Sequence, residues 1–173
     1  MNNTDETFKK GVEYRLAGNE AFKKADFPEA LKNYHHALLH LRTLGGTNPP
    51  AELKNKTNEE LVKIYNNMAA VLAKQDKWER VLKNAIEANK IDESNIKAKF
   101  RMGQAYGRLG NTDKAIELLN EVKQKNPTDE LVKQELTRIK QEEKKGQEQV
   151  KSTYWGMFDR KPSSSSSSKQ AKA

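Results

Sequence analysis

The sequence contains no cysteine and few aromatic residues. Without cysteine the chain forms no disulfide bond, no cysteine-ligated zinc site and no thiolate nucleophile, which fits a reducing compartment. No apolar run approaches the ~20 residues that span a bilayer. The polar N-terminus does not resemble a signal peptide. We therefore expect a soluble, cytoplasmic protein with no membrane partner.

The chain has fewer acidic than basic residues, and its formal net charge is +8. A basic chain raises the question of nucleic acid as a partner. Much of the excess lies in the C-terminal tail, where Asp159 is the one acid beside Arg160, Lys161, Lys169 and Lys172. Elsewhere Lys and Glu alternate, as is typical of solvated helix faces. We expect no nucleic-acid partner, and nonspecific binding through the tail is the alternative.

Three segments repeat one spacing of small and bulky residues. A small residue of a first helix recurs as Gly18, Ala69 and Gly103. A small residue of a second helix recurs as Ala30, Val81 and Ala115, and a turn position as Phe27, Trp78 and Thr112. Val81 and Ala115 are one period of about 34 residues apart, whereas a longer interval before Val81 indicates an insertion. Small residues let paired helices approach closely, and bulky ones fill the joints.

This pattern resembles the tetratricopeptide-repeat (TPR) superfamily over residues 10–129. The resemblance implies an all-α fold in which three helix pairs form a right-handed superhelical solenoid. An extended capping helix should follow, with Leu131, Leu136 and Ile139 covering the end of the stack. The predicted segments are a frayed N-terminus at 1–5, the repeat region at 6–129, the capping helix at 130–158 and a disordered Ser/Lys-rich tail at 159–173. Within the repeat region, the three repeats are predicted at about 11–44, 62–95 and 96–129, with the insertion at 45–61.

One TPR subclass binds the acidic Glu-Glu-Val-Asp C-terminus of heat-shock chaperones through a two-carboxylate clamp. Its pattern is Lys and Asn in the first repeat, Asn in the second, and Lys and Arg in the third, all on first helices. The matching residues here are Arg15, Asn19, Asn67, Lys97 and Arg101. Arg15 is the one departure from the pattern, and no motif position holds an acid. The resemblance implies that these cations and amides bind the carboxylates of a terminal aspartate.

No motif in the sequence indicates catalysis. There is no phosphate-binding loop, nucleophile elbow or pair of catalytic carboxylates, so we expect no enzyme activity. His36 and His40 have the spacing of a metal pair, but a third ligand is missing. We therefore expect no metal and no cofactor.

A cluster of large apolar side chains follows the charged end of the capping helix. Its members are Tyr154, Trp155, Met157 and Phe158. We expect the cluster to fold back onto the last repeat. The alternative is an anchor for calmodulin or another partner protein.

Two TPR families share these features. The tetratricopeptide repeat protein 9 family has a stretch similar to Tyr34–Arg42 and an ending similar to Tyr154–Phe158. Large immunophilins have the same clamp and ending, but their repeats follow a prolyl-isomerase domain. Since this chain enters the repeats soon after Met1, the first family is preferred, and a fragment of an FK506-binding isomerase is the alternative. The resemblance implies a co-chaperone adaptor for the 90-kDa chaperone class, with the 70-kDa class second. Its rival is a general scaffold that binds an internal segment of another partner.

Overall fold

The computed structural model describes residues 3–45 and 49–159, and within these ranges it contains seven α-helices and no strand. The helices are α1 Asn3–Lys23, α2 Phe27–Thr43, α3 Ala51–Lys74, α4 Trp78–Ile91, α5 Ile96–Arg108, α6 Thr112–Lys125 and α7 Glu130–Phe158. This architecture confirms the predicted all-α class. One compact unit ends at Leu136 and a second begins at Thr137, within α7.

The first unit is built from helix pairs. Helix α1 packs on α2, α3 on α4 and α5 on α6, and the first helices α1, α3 and α5 also contact one another in sequence. Each helix buries one apolar face against its neighbours, as the helical period of its apolar residues predicts. The largest fully buried side chains of the first two pairs are Tyr34, Leu41, Ile64, Met68 and Leu72.

The turn inside each pair has the same conformation. Ala25, Asp76 and Gly110 follow α1, α3 and α5, and their φ angles of 58°, 55° and 84° lie in the left-handed region. A left-handed residue ends a helix and redirects the chain. Asp26 and Asn111 then cap α2 and α6 by accepting the amides of Glu29 and Lys114. The sequence therefore specifies the first and third hairpins locally as well as through their cores.

Glycine permits the closest approach within the first pair. A Cβ atom at Gly18 would lie 2.6 Å from Cε1 of Tyr34, so the tyrosine ring rests directly on the backbone of α1. The third pair repeats this arrangement, because a Cβ at Gly103 would lie 2.8 Å from Cγ of Leu119. Ala69 is fully buried at the matching position of the second pair.

Several predicted boundaries differ from the structure. Helix α1 already begins at Asn3, so residues 3–5, predicted to fray, are helical. The interpretation of the insertion as a turn plus an N-terminal extension of the next helix agrees with the structure, in which α3 begins at Ala51. Residues 160–173, which make up most of the predicted disordered tail, lie outside the described part of the chain. Residues 1–2 and 46–48 also lie outside it.

The start of α7 was predicted with the wrong residue inward. Val132 is fully buried and Leu136 is 7% exposed, whereas Leu131 is 60% exposed. One residue of helix corresponds to a rotation of about 100°, so a neighbouring position faces another direction. Ile139, in the second unit, is 2% exposed.

Replacing Gly18 by alanine should destabilise the first unit. The added methyl group would overlap the ring of Tyr34, and such overpacking costs about 1–3 kcal/mol. Gly146→Ala is the matched control, because a Cβ there meets nothing within 4 Å. The free energy of unfolding, measured with urea, should fall for Gly18→Ala and not for Gly146→Ala. Equal stabilities for the two variants would contradict the close approach.

Candidate functional site: a polar groove across the first helices

A groove of about 660 Å³ runs across α1, α3 and the start of α5. Four of the five predicted clamp residues line it, namely Arg15, Asn19, Asn67 and Lys97. Five further polar side chains line it that were not predicted, namely Lys63, Asn66, Asp92, Ser94 and Asn95. The structure therefore brings together residues from three helices that are far apart in the sequence.

Asn19 is the centre of the hydrogen bonding in this groove. Its Oδ1 accepts a hydrogen bond from the hydroxyl of Tyr34 and another from Nδ2 of Asn67, both at 2.8 Å. Burial raises the pKa of Tyr34, while its polar neighbours oppose the shift. The tyrosine therefore remains a neutral donor. In the described ranges the Nδ2 group of Asn19 has no acceptor, so its N–H groups are available to a ligand.

Arg15 has an acidic partner that was not foreseen. Its Nε donates to Oε2 of Glu60 at 2.5 Å, and the side chains are only 14% and 10% exposed. Lys63 bonds the other carboxylate oxygen at 2.7 Å. No motif position holds an acid in the sequence, but in the structure Glu60 offsets the charge of Arg15. Glu60 lies in α3, 45 residues from Arg15.

The charge state of Glu60 follows from two opposing effects. Burial raises the pKa of its carboxyl group, but the hydrogen bonds and positive charges of Lys63 and Arg15 together outweigh burial. The pKa of Glu60 therefore lies below its ordinary value, and the group is a carboxylate at neutral pH.

An amide pair fixes the start of α5, the helix that carries Lys97. Nδ2 of Asn66 donates to Oδ1 of Asn95 at 3.0 Å, and the same oxygen caps α5 by accepting the amide of Ala98. Lys97 is exposed, and no ion pair or side-chain hydrogen bond involves it in the part of the chain that the structure describes. Its charge adds to the positive end of the α5 dipole.

Arg101 lies one turn further along α5 and does not line the groove. Its Nη1 donates to Oε1 of Gln104 at 2.8 Å, and Nε2 of Gln104 donates to Glu135 of α7 at 2.9 Å. Burial lowers the pKa of the Arg101 guanidinium, and the charge of Glu135 opposes the shift. Gln104 therefore occupies part of the Arg101 guanidinium, which was predicted to bind a ligand carboxylate.

A smaller recess of about 460 Å³ adjoins the groove and shares Asn19 and Asn67 with it. Its apolar wall includes Leu16, Phe22 and Ala70. Leu16 is 50% exposed, although a leucine side chain gains free energy from burial. The two cavities together therefore combine hydrogen-bond donors for an anion with a small apolar surface.

The aromatic cluster of α7 does not match its predicted packing. Tyr154, Trp155, Met157 and Phe158 are 59%, 69%, 68% and 69% exposed. Tyr154 and Phe158 contact each other within the helix, with ring centroids 5.0 Å apart. The interpretation that the cluster is buried is therefore wrong.

Neither a metal cluster nor a membrane span is found in the described residues. No group of three or more His, Cys, Asp or Glu side chains there could hold a metal ion, and no helix there is both long and apolar enough to cross a bilayer. His36 and His40 stack on the ring of Tyr14, with centroid distances of 5.1 and 5.3 Å.

Sequence comparisons find repeats of a known type. The family model described as tetratricopeptide repeat matches residues 69–139. A curated relative, the peptidyl-prolyl cis-trans isomerase FKBP42 of Arabidopsis thaliana, is 26% identical over 159 residues, which cover 90% of this chain. The chain spans 42% of the length of that relative. The similarity supports the predicted resemblance to the immunophilins, while the preference for the protein 9 family stays a prediction.

Solved structures share the fold at low sequence identity. The C-terminal TPR-containing domain of an FK506-binding protein from Plasmodium falciparum matches with a TM-score of 0.79 and 22% identity, over 85% of this chain and 97% of that one. The first TPR domain of Spaghetti (RPAP3), bound to the HSP90 peptide SRMEEVD, matches at 0.62 and 20%, over 77% and 92%. The second TPR domain of human RPAP3, in complex with the HSP70 peptide SGPTIEEVD, matches at 0.61 and 23%, over 78% and 98%.

The low pKa of Glu60 predicts an acid-sensitive share of the stability. A carboxyl group whose pKa is lower in the folded state stabilises above its unfolded pKa, here about 4.5, and loses this contribution as the pH falls through the folded value. Urea unfolding should show Glu60→Gln to be less stable than wild type at about pH 6, with a smaller difference at about pH 3. The control Glu59→Gln removes a neighbouring acid without removing the contact with Arg15. A difference for Glu60→Gln that is independent of pH would contradict this assignment.

Proposed function

We propose that this chain, which contains tetratricopeptide repeats and has the fold of a TPR domain, is a non-catalytic cytoplasmic adaptor for an acidic C-terminal peptide of heat-shock chaperones. The observation that carries the proposal is the convergence of Asn19, Asn67 and Lys97 on one groove. Two amides and an ammonium group supply hydrogen-bond donors to an anion while adding little repulsion between themselves.

A terminal aspartate suits this donor set. It holds a main-chain and a side-chain carboxylate close together, so several donors must converge on a small volume. Hydrogen bonds to charged groups contribute roughly 1.5–3 kcal/mol each. Three such bonds would supply part of the free energy that offsets the costs of association. Lys97 supplies full charge, and the amides of Asn19 and Asn67 supply the remaining donors.

The apolar recess supports the same ligand. The peptides bound to the RPAP3 domains end in Glu-Glu-Val-Asp. With the terminal aspartate in the groove, the recess beside Asn19 and Asn67 could hold the preceding valine against Leu16, Phe22 and Ala70. Arg101, further along α5, would meet an acidic side chain upstream by exchanging its bond with Gln104.

The chaperone class is the finer part of this proposal. Both chaperone classes are candidates, because their peptides share the ending that the groove would bind. The 90-kDa class comes first and the 70-kDa class second, as the family resemblance implies. The rival function is a scaffold that binds an internal segment, for which a free carboxylate is unimportant. Prolyl isomerase activity belongs to the name of a longer relative, of which this chain spans 42%. Calmodulin stays a prediction for the exposed aromatic cluster.

Calorimetry with a free and an amidated peptide separates these functions. We expect SRMEEVD to bind with a micromolar Kd, and its C-terminal amide to bind at least about tenfold more weakly, because one carboxylate is lost. The 70-kDa peptide SGPTIEEVD, titrated in parallel, gives the class preference.

Lys97→Ala should weaken binding of SRMEEVD by about tenfold or more, since it removes the exposed ammonium from the groove. Lys83→Ala is the control, because it removes an exposed lysine on α4. Binding that is insensitive to both amidation and Lys97→Ala would favour the scaffold function and overturn the clamp.

A further inference from the structure

Glu60 is a carboxylate beside a groove that is proposed to bind carboxylates. The residue is 7% exposed, and its two oxygens bond two cations, Arg15 and Lys63. Both cations line the groove. The free protein therefore already contains, beside the groove, an anion of the kind that the ligand would bring.

The contacts of Glu60 determine how much positive charge remains for a ligand. Glu60 is the one acceptor of the Arg15 guanidinium within the described residues, and it is bonded through Nε. Because the contact is a direct ion pair with both side chains largely buried, it is screened less than a surface pair. Glu60 thus offsets one of the two positive charges of Arg15 and Lys63, and Lys97 is the groove cation without such a partner in those residues.

We propose that Glu60 is the specificity-determining residue of the groove. It acts as a resident carboxylate that neutralises Arg15 and limits the advantage of a ligand that ends in two carboxylates over one that ends in a single carboxylate. This inference rests on the proposed function, since it concerns the ligand of the same groove.

The physical basis is a charge balance over a short distance. A terminal aspartate in the groove is attracted by Lys97 and by Arg15. It is repelled by Asp92, which lines the groove, and by Glu60, which lies against Arg15. Coulomb interactions between partly buried groups remain strong because the local dielectric constant is low. Neutralising Glu60 removes the repulsion and leaves the charge of Arg15 to the ligand. The gain should be larger for a dianionic end than for a monoanionic end.

The experiment measures a ratio of affinities. Wild type and Glu60→Gln are titrated by calorimetry with SRMEEVD and with SRMEEVN, whose terminal residue has only the main-chain carboxylate. We expect Glu60→Gln to bind SRMEEVD about 3- to 10-fold more tightly and SRMEEVN less than about twofold more tightly. The difference should shrink in about 1 M salt, where charges are screened within a few ångströms.

Two controls separate this effect from others. Glu59→Gln removes an equal charge from the preceding residue of α3, and Glu59 does not line the groove. It should leave the ratio of the two affinities unchanged. The double variant Arg15→Gln/Glu60→Gln removes the ion pair as a neutral unit and avoids an unpaired buried arginine. It should bind SRMEEVD within about threefold of wild type, because the pair adds no net charge.

Each outcome decides between defined alternatives. If Glu60→Gln weakens both peptides equally, Glu60 only positions Arg15 and the inference is wrong. A loss of more than about tenfold in the double variant would mean that Arg15 binds the ligand in spite of its partner, which also overturns it. If neither wild type nor Glu60→Gln binds either peptide, the proposed function itself fails, and the inference fails with it. Binding by Glu60→Gln alone would support the inference.

Discussion

The contact between Gly18 and the ring of Tyr34 is the constraint on which the groove depends. Because α1 has no side chain at that point, the ring lies on its backbone and the hydroxyl reaches Asn19. The same amide oxygen accepts Asn67 from α3. One close approach between the first two helices therefore fixes the orientation of two amides on the first and third. A rigid scaffold positions binding groups more accurately than a loop does.

Positive charge in the groove is partly balanced by nearby acids. Arg15 and Lys63 share the carboxylate of Glu60, and Arg101 is held by Gln104 outside the groove. The donors left for a ligand are the amides and Lys97. A site of this composition favours recognition by directed hydrogen bonds, with one strong charge, over binding by a diffuse positive field. The net charge of +8 is therefore a poor guide to what this groove binds.

The helix pairs could be predicted from the sequence because their signals are local. Small residues recur at the repeat period, and the resemblance to the clamp pattern of one TPR subclass implied that Asn19, Asn67 and Lys97 lie together. Glu60 could not, because its contact with Arg15 joins residues 45 positions apart and it lies outside the motif positions. The exchange of Leu131 for Val132 at the start of α7 arose from helix phase, which a short apolar pattern defines only weakly. The exposure of Trp155 and its neighbours had no local signal at all.

A crystal structure of the complex with SRMEEVD would show whether this groove binds the end of the peptide. We expect the carboxylates of the terminal aspartate within hydrogen-bond distance, about 2.7–3.2 Å, of the amide nitrogens of Asn19 and Asn67 and of Nζ of Lys97. We also expect the Arg15–Glu60 pair to persist beside them. A peptide bound elsewhere, or one whose terminal carboxylates face solvent, would overturn the proposed binding mode.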